Sequence, residues 1–262
     1  MATTRKTMPA VFVGHGSPMN IARYNRWTDG WTALGASLPR PRAILAISAH
    51  WYIPATMVTA MPRPRTIHDF GGFPRELYEI RYPAPGDPGL AKKVRDVLDS
   101  MTVGLDIGWG LDHGTWSVLS HIYPAADVPV LQLSINRTES PSLHYEIGRL
   151  LAPLRNEGVL LLGSGNLVHN IGAYDWDNPD AKVHGWASRF EAKVRDLLQT
   201  GKERHLLDYG RWGSDAELSV PTPDRYLPLL YVLGSRKEGE GLSFPIEGFD
   251  GGSMSMLAVR IG

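Results

Sequence analysis

The chain has 262 residues, with 27 Lys+Arg, 27 Asp+Glu, nine His and no Cys. Without cysteine there are no disulfide staples, thiolate zinc sites, iron–sulfur clusters or cysteine nucleophiles, so any metal must be held by imidazole and carboxylate. A formal net charge of zero argues against a dedicated nucleic-acid or anionic-membrane binder.

Taken in chain order, short apolar runs alternate with amphipathic segments. The start, residues 1–8, is basic, and the apolar run after it at 9–13 is too short for a signal core. Residues 10–13, 43–48 and 57–60 read as strands. Residues 90–101 read as a helix, with Leu90, Val94, Val97, Leu98 and Met101 on one stripe. A strand follows at 128–135, then a helix at 143–154 carrying Leu143, Ile147, Leu150, Leu151 and Leu154. Next come a strand at 159–162, a helix at 186–198 (Phe190, Val194, Leu197, Leu198) and a final strand at 254–261. The runs AILAIS and VLLL are nearly continuous, which suits strands buried on both faces. The pattern predicts one α/β domain over residues 1–262, with a mostly parallel or mixed central sheet flanked by helices. Long Pro/Gly-rich loops are expected at 62–74 and 83–89. No segment approaches the ~20 apolar residues of a membrane helix. The expectation is a cytoplasmic protein with neither membrane nor nucleic acid as partner.

Four of the nine histidines sit where an α/β site is built. His15 follows the first strand in Gly14-His15-Gly16-Ser17, and His50 follows the second in Ser48-Ala49-His50-Trp51. His169 follows strand 159–162 across Gly163-Ser164-Gly165-Asn166, and His113 lies in Asp112-His113-Gly114-Thr115. Ligands of open α/β sheets bind outside the carboxyl ends of the strands, so these four can converge. Singly, each reads as well as a hydrogen-bonded turn residue; His15 between glycines also suits a tight turn or an anion site. Neutral imidazole suits zinc, iron, copper and nickel. Two His with a carboxylate suit iron and oxygen, and two or three His with water suit zinc hydrolysis. His68, on the aromatic loop with Phe70 and Phe73, is a candidate pocket residue, with a loop hydrogen bond as its alternative. His121 follows 116–119 at helical spacing and reads as packing, while His144, His184 and His205 read as solvated surface. No P-loop, GxGxxG fingerprint or GxSxG elbow occurs in the required context.

Segments 14–20, 48–51, 66–82, 110–123, 163–170 and 221–233 together resemble the class III extradiol ring-cleavage dioxygenases of the DOPA 4,5-dioxygenase type. The resemblance runs through nearly the whole chain. It implies a single α/β domain with one divalent metal at the strand ends, Fe(II) for turnover or Zn(II) as found. It also implies a small aromatic diol and O2 as the reacting partners. By resemblance His15 and His50 match metal ligands. His169 matches either the catalytic acid–base or a further ligand, and His113 a pocket His near oxygen and substrate. His68, Phe70 and Arg225 are the expected substrate contacts.

The chain departs from that family at Arg225, in Pro221-Thr222-Pro223-Asp224-Arg225-Tyr226-Leu227-Pro228, where the family places a His. Guanidinium stays protonated and cannot replace a neutral imidazole ligand. Three readings follow. Asp224 or another carboxylate completes the metal site while Arg225 anchors a substrate carboxylate; His169 completes a three-His site; or the site is degraded. An ion pair of Arg225 with Asp224 or Glu217 is the plain alternative. The leading expectation is a ring-cleaving dioxygenase. The others are a zinc hydrolase using His15, His50 and His169, and a non-enzymatic scaffold.

Overall fold

Alternation along the central strands sorts their side chains onto two faces. In the computed structural model, which describes residues 7–22 and 24–262, the inner strands are β1 (Ala10–Gly14), β2 (Ala43–Ile53), β5 (Val130–Asn136) and β6 (Val159–Gly165). Phe12, Leu45, Ile47 and Leu161 join one apolar core, while Val11, Val13, Ile44, Ala46, Leu160 and Leu162 join the other. Burial on both faces explains why these strands read as continuous apolar runs. Most of the basic start, residues 1–6, lies outside the described residues.

The remaining strands are β3 (Thr56–Thr59), β4 (Val103–Asp106), β7 (Leu242–Ile246), β8 (Phe249–Asp250), β9 (Met254–Ser255) and β10 (Ala258–Ile261). The main sheet runs β4-β3-β5-β2-β6-β1-β10-β7, and β8 and β9 form a separate hairpin. The β1–β6, β6–β2 and β2–β5 pairs are parallel, whereas β10 and β7 close one edge antiparallel, so the sheet is mixed. The parallel block brings the carboxyl ends of β1, β6 and β2 to one edge. The strand expected over 254–261 is interrupted: β9 pairs with β8, and β10 with β1.

Helices cover both faces. On one side lie α1 (Arg26–Ser37) and α4 (His113–Ile122), through Trp31, Leu34, Trp116 and Leu119. On the other lie α3 (Pro88–Val97), α5 (Pro141–Asn156), α6 (Gly185–Gln199) and α8 (Leu227–Gly234). The short α2 (Arg75–Glu79) and α7 (Ser214–Ser219) complete the set. The helix expected over 90–101 starts at Pro88, with the Asp87 carboxylate capping the Leu90 N–H, and ends at Val97. No helix among the described residues is long and apolar enough to cross a membrane.

One histidine is corrected. His144 was expected at the surface, but α5 turns it inward, fully buried, with Nδ1 2.8 Å from the Tyr231 hydroxyl of α8. Its charged neighbours in sequence lie on the other face of the helix. His184 and His205 are exposed, and His121 packs beside Trp31, ring centroids 5.6 Å apart.

Candidate metal centre

The sheet edge and two loops bring the site together. His15 leaves β1 after Gly14, and Gly16 takes a left-handed φ of 61° to turn the chain away. His50 lies near the end of β2, where the register with β5 slips between Ile47 and Tyr52. Such a slip re-aims side chains, and here it covers the stretch that carries His50. His113 is the first residue of α4, whose start is fixed by Asp112. That carboxylate caps the Thr115 N–H at 3.1 Å and accepts Gln132 Nε2 at 2.7 Å. Burial pushes the Asp112 carboxyl up, and the charge of Asp69 adds to this.

One ring nitrogen from each of His15, His50 and His113 lies within 4.8 Å of the others. Close contacts to Ser164 and Asp69 assign two of the tautomers. Ser164 Oγ donates to Gly114 O at 2.5 Å, so it accepts from His15 Nδ1 at 2.9 Å, which leaves the lone pair on His15 Nε2. His50 Nδ1 lies 2.8 Å from Asp69 Oδ2, which leaves the lone pair on His50 Nε2. The two Nε2 atoms face each other at 3.2 Å. Imidazoles oriented through their far nitrogens by a carboxylate and a hydroxyl are the donors a divalent metal requires. Burial, then the charge of Arg225, holds both rings far below the ordinary histidine range, so both are neutral near pH 7.

Asp69 is the residue that sequence reading passed over. The loop is fixed just before it, at both backbone groups of Ile67. Ile67 N–H donates to Leu111 O, and Trp116 Nε1 donates to Ile67 O at 2.7 Å. Asp69 Oδ1 accepts the His113 backbone N–H at 2.9 Å and lies 3.1 Å from its Nδ1. Burial pushes the Asp69 carboxyl up, but hydrogen bonds from His113 and His50 outweigh it and hold the group well below the usual carboxylate range. A carboxylate beside His68 on a long aromatic loop was the available signal.

The fold places the other candidates differently. His169 lines a cavity of about 260 Å³ with His50, His113, Phe70, Phe73 and Arg225, but stands outside the three-imidazole group. Its backbone N–H donates to Ser219 O, and burial together with Arg225 holds its pKa down at about 3. His68 has Nε2 3.0 Å from Ile80 O and stands behind Phe70, ring centroids 5.8 Å apart, rather than on the cavity wall. Asp224 pairs with Arg225 Nε at 3.2 Å. Arg225 is no surface residue, with a side chain only 17% exposed. Its Nη1 stands 2.7 Å from His15 Nε2 and also hydrogen-bonds His50 Nε2. Gly165 allows that segment in, since a Cβ there would lie 2.1 Å from Arg225 O. A second cavity, of about 790 Å³, adjoins the first and shares Ser17, Phe73, Tyr174 and Trp176 with it.

An α/β domain with buried neutral imidazoles at its strand ends, facing an aromatic-walled cavity, defines a candidate metal-dependent enzyme. The chain belongs to the family described as the catalytic LigB subunit of aromatic ring-opening dioxygenase, whose model matches residues 15–239. It is 49% identical to the 4,5-DOPA dioxygenase extradiol of Escherichia coli (strain K12), over 100% of this chain and 97% of that protein. It is 35% identical to the protein of the same name from Beta vulgaris, over 93% of this chain and 92% of that one. A crystal structure of an uncharacterized protein from Escherichia coli K12 superposes with a TM-score of 0.85 at 44% identity, covering 97% of this chain and all of that one. Of the activities left open by the sequence, this membership supports the extradiol, ring-opening dioxygenase.

Proposed function

We propose that this chain, acting as one catalytic domain over residues 1–262, uses O2 to open the ring of a catechol beside its two hydroxyls. The observation that carries the reading is the convergence of His15, His50 and His113 beside a cavity walled by Phe70 and Phe73. In overall balance one ring C–C bond breaks and both oxygen atoms enter the product, a muconate semialdehyde. A DOPA-like diol is the first candidate, since relatives are named for it. The larger adjoining cavity offers room for a substituent on the ring.

His15, His50 and His113 would hold one divalent metal, Fe(II) for turnover or Zn(II) as found. Iron there would supply two-point binding of the diol and electron density to oxygen. Asp69 and Ser164 keep the His50 and His15 lone pairs turned inward. Phe70 and Phe73, ring centroids 5.4 Å apart and nearly perpendicular, give the substrate ring an apolar wall. His169, on the cavity wall and outside the three-imidazole group, is our candidate base to take a hydroxyl proton and later return one. We infer a cytoplasmic enzyme.

Anaerobic loading with Fe(II), followed by oxygen and a panel of catechols, tests this. A yellow semialdehyde that appears with oxygen uptake is the expected result. No uptake with any catechol rejects it.

A further inference from the structure

Two imidazole lone pairs repel at close range unless a donor or a cation bridges them. With the ring protons of His15 and His50 turned toward Ser164 and Asp69, both Nε2 atoms are acceptors, only 3.2 Å apart. The bridge is Arg225, whose Nη1 stands 2.7 Å from His15 Nε2 and hydrogen-bonds His50 Nε2 as well. One guanidinium nitrogen carries two protons, enough for one to each ring. These are the same two lone pairs that a metal ion held by His15, His50 and His113 would take.

We propose that Arg225 competes directly with a metal ion for the Nε2 lone pairs of His15 and His50. This rests on reading the three-imidazole cluster as a metal site. A guanidinium does not lose its proton, so it cannot share those lone pairs with a divalent cation; it must move. The backbone at Arg225 is locked, its carbonyl accepting Asn166 N–H at 2.9 Å against the Gly165 close approach. The side chain is therefore the moving part. Arg225 lines the 260 Å³ cavity, and its Nε is 3.2 Å from Asp224 Oδ2, so a displaced guanidinium keeps both space and a counter-charge. Metal loading and the position of Arg225 are thus one coupled equilibrium. Affinity for metal is lowered by whatever holds the guanidinium on the rings.

Titration with Co2+, followed by its visible absorption and by calorimetry, tests the competition in the wild type, Arg225→Met and Arg225→Ala, with His50→Ala as the site control. Removing the guanidinium should tighten Co2+ binding by about tenfold or more, because a like charge and a competitor leave together. The rise in Tm on adding Co2+ should grow in step. In the wild type, saturating Zn2+ should shift the Arg225 side-chain NMR resonances, a readout that needs no variant of Arg225 to fold. Equal or weaker Co2+ binding by folded Arg225 variants, no Co2+ binding by any of the proteins, or Arg225 resonances unmoved at saturating Zn2+ would each overturn the proposal. Tighter binding in the variants, with no oxygen uptake by the Fe(II)-loaded wild type on any catechol, would uphold the competition and reject ring cleavage. Ring cleavage with unaltered Co2+ affinity would do the reverse.

Discussion

Asp69 Oδ2 lies 2.8 Å from His50 Nδ1 while Asp69 Oδ1 accepts the backbone N–H of His113, so one carboxylate orients two members of the imidazole group. Asp69→Asn keeps the size but removes the charge that fixes the His50 tautomer. Loss of such an outer partner weakens metal binding by about 10–100-fold. Metal titration should show that loss with an unchanged circular dichroism spectrum; unchanged affinity would remove Asp69 from the site.

His169 lines the cavity but lies outside the three-imidazole group. His169→Gln should leave metal content near one per chain and lower kcat by roughly 10²–10⁴, the usual worth of a positioned acid–base. Catechol binding should be spared more than turnover. A parallel fall in metal content would make His169 a ligand instead.

Phe70 and Phe73 wall the cavity, and Phe73 also lines the larger one beside it. Phe73→Ala should change the ratio of kcat/KM between a bare catechol and one with a long substituent, on the order of tenfold. Phe70→Ala should weaken all catechols more evenly, because it also lies 5.4 Å from the His113 ring. Unchanged preference in both variants would place the substrate elsewhere.

Burial holds the His144 pKa down at about 4, against an ordinary 6.5. Between those values the unfolded chain takes up a proton that the folded one refuses, so stability is lost as pH falls from 6.5 toward 4. At full extent the contribution of this one ring is about 3 kcal/mol. His144→Gln leaves an amide near the Tyr231 hydroxyl and removes the titration. Urea unfolding at pH 7 and pH 4.5 should therefore show a smaller acid loss in the variant; equal losses would contradict the buried neutral ring.

Much of this site was legible because its ligands follow strands that announce themselves. The runs ending before His15 and His50 are apolar on both faces, and the strand-end rule then puts the histidines on one edge. His113 and His169 were harder to rank. Both follow glycine-rich turns, and only the start of α4, fixed by Asp112, brings His113 against His50, ring centroids 3.8 Å apart. Asp69 was hidden because its role depends on a loop held by Leu111 and Trp116 from distant parts of the chain. The helix α8 has no polar face, so it shows no period to read; every residue of it is buried. The departure at Arg225 was visible in sequence, but the side chain's place on the imidazoles was not. That depends on the close approach of residues 165 and 225.

Oxygen balance is the most direct test of the central claim. The protein would be loaded with Fe(II), given one catechol that it binds, and followed by oxygen electrode and mass spectrometry. The account predicts one O2 consumed per catechol and, with labelled O2 and correction for aldehyde exchange with water, a ring-opened product carrying both atoms. This activity should vanish in His50→Ala. Catechol oxidised to a quinone, or ring opening undiminished in His50→Ala, would contradict it.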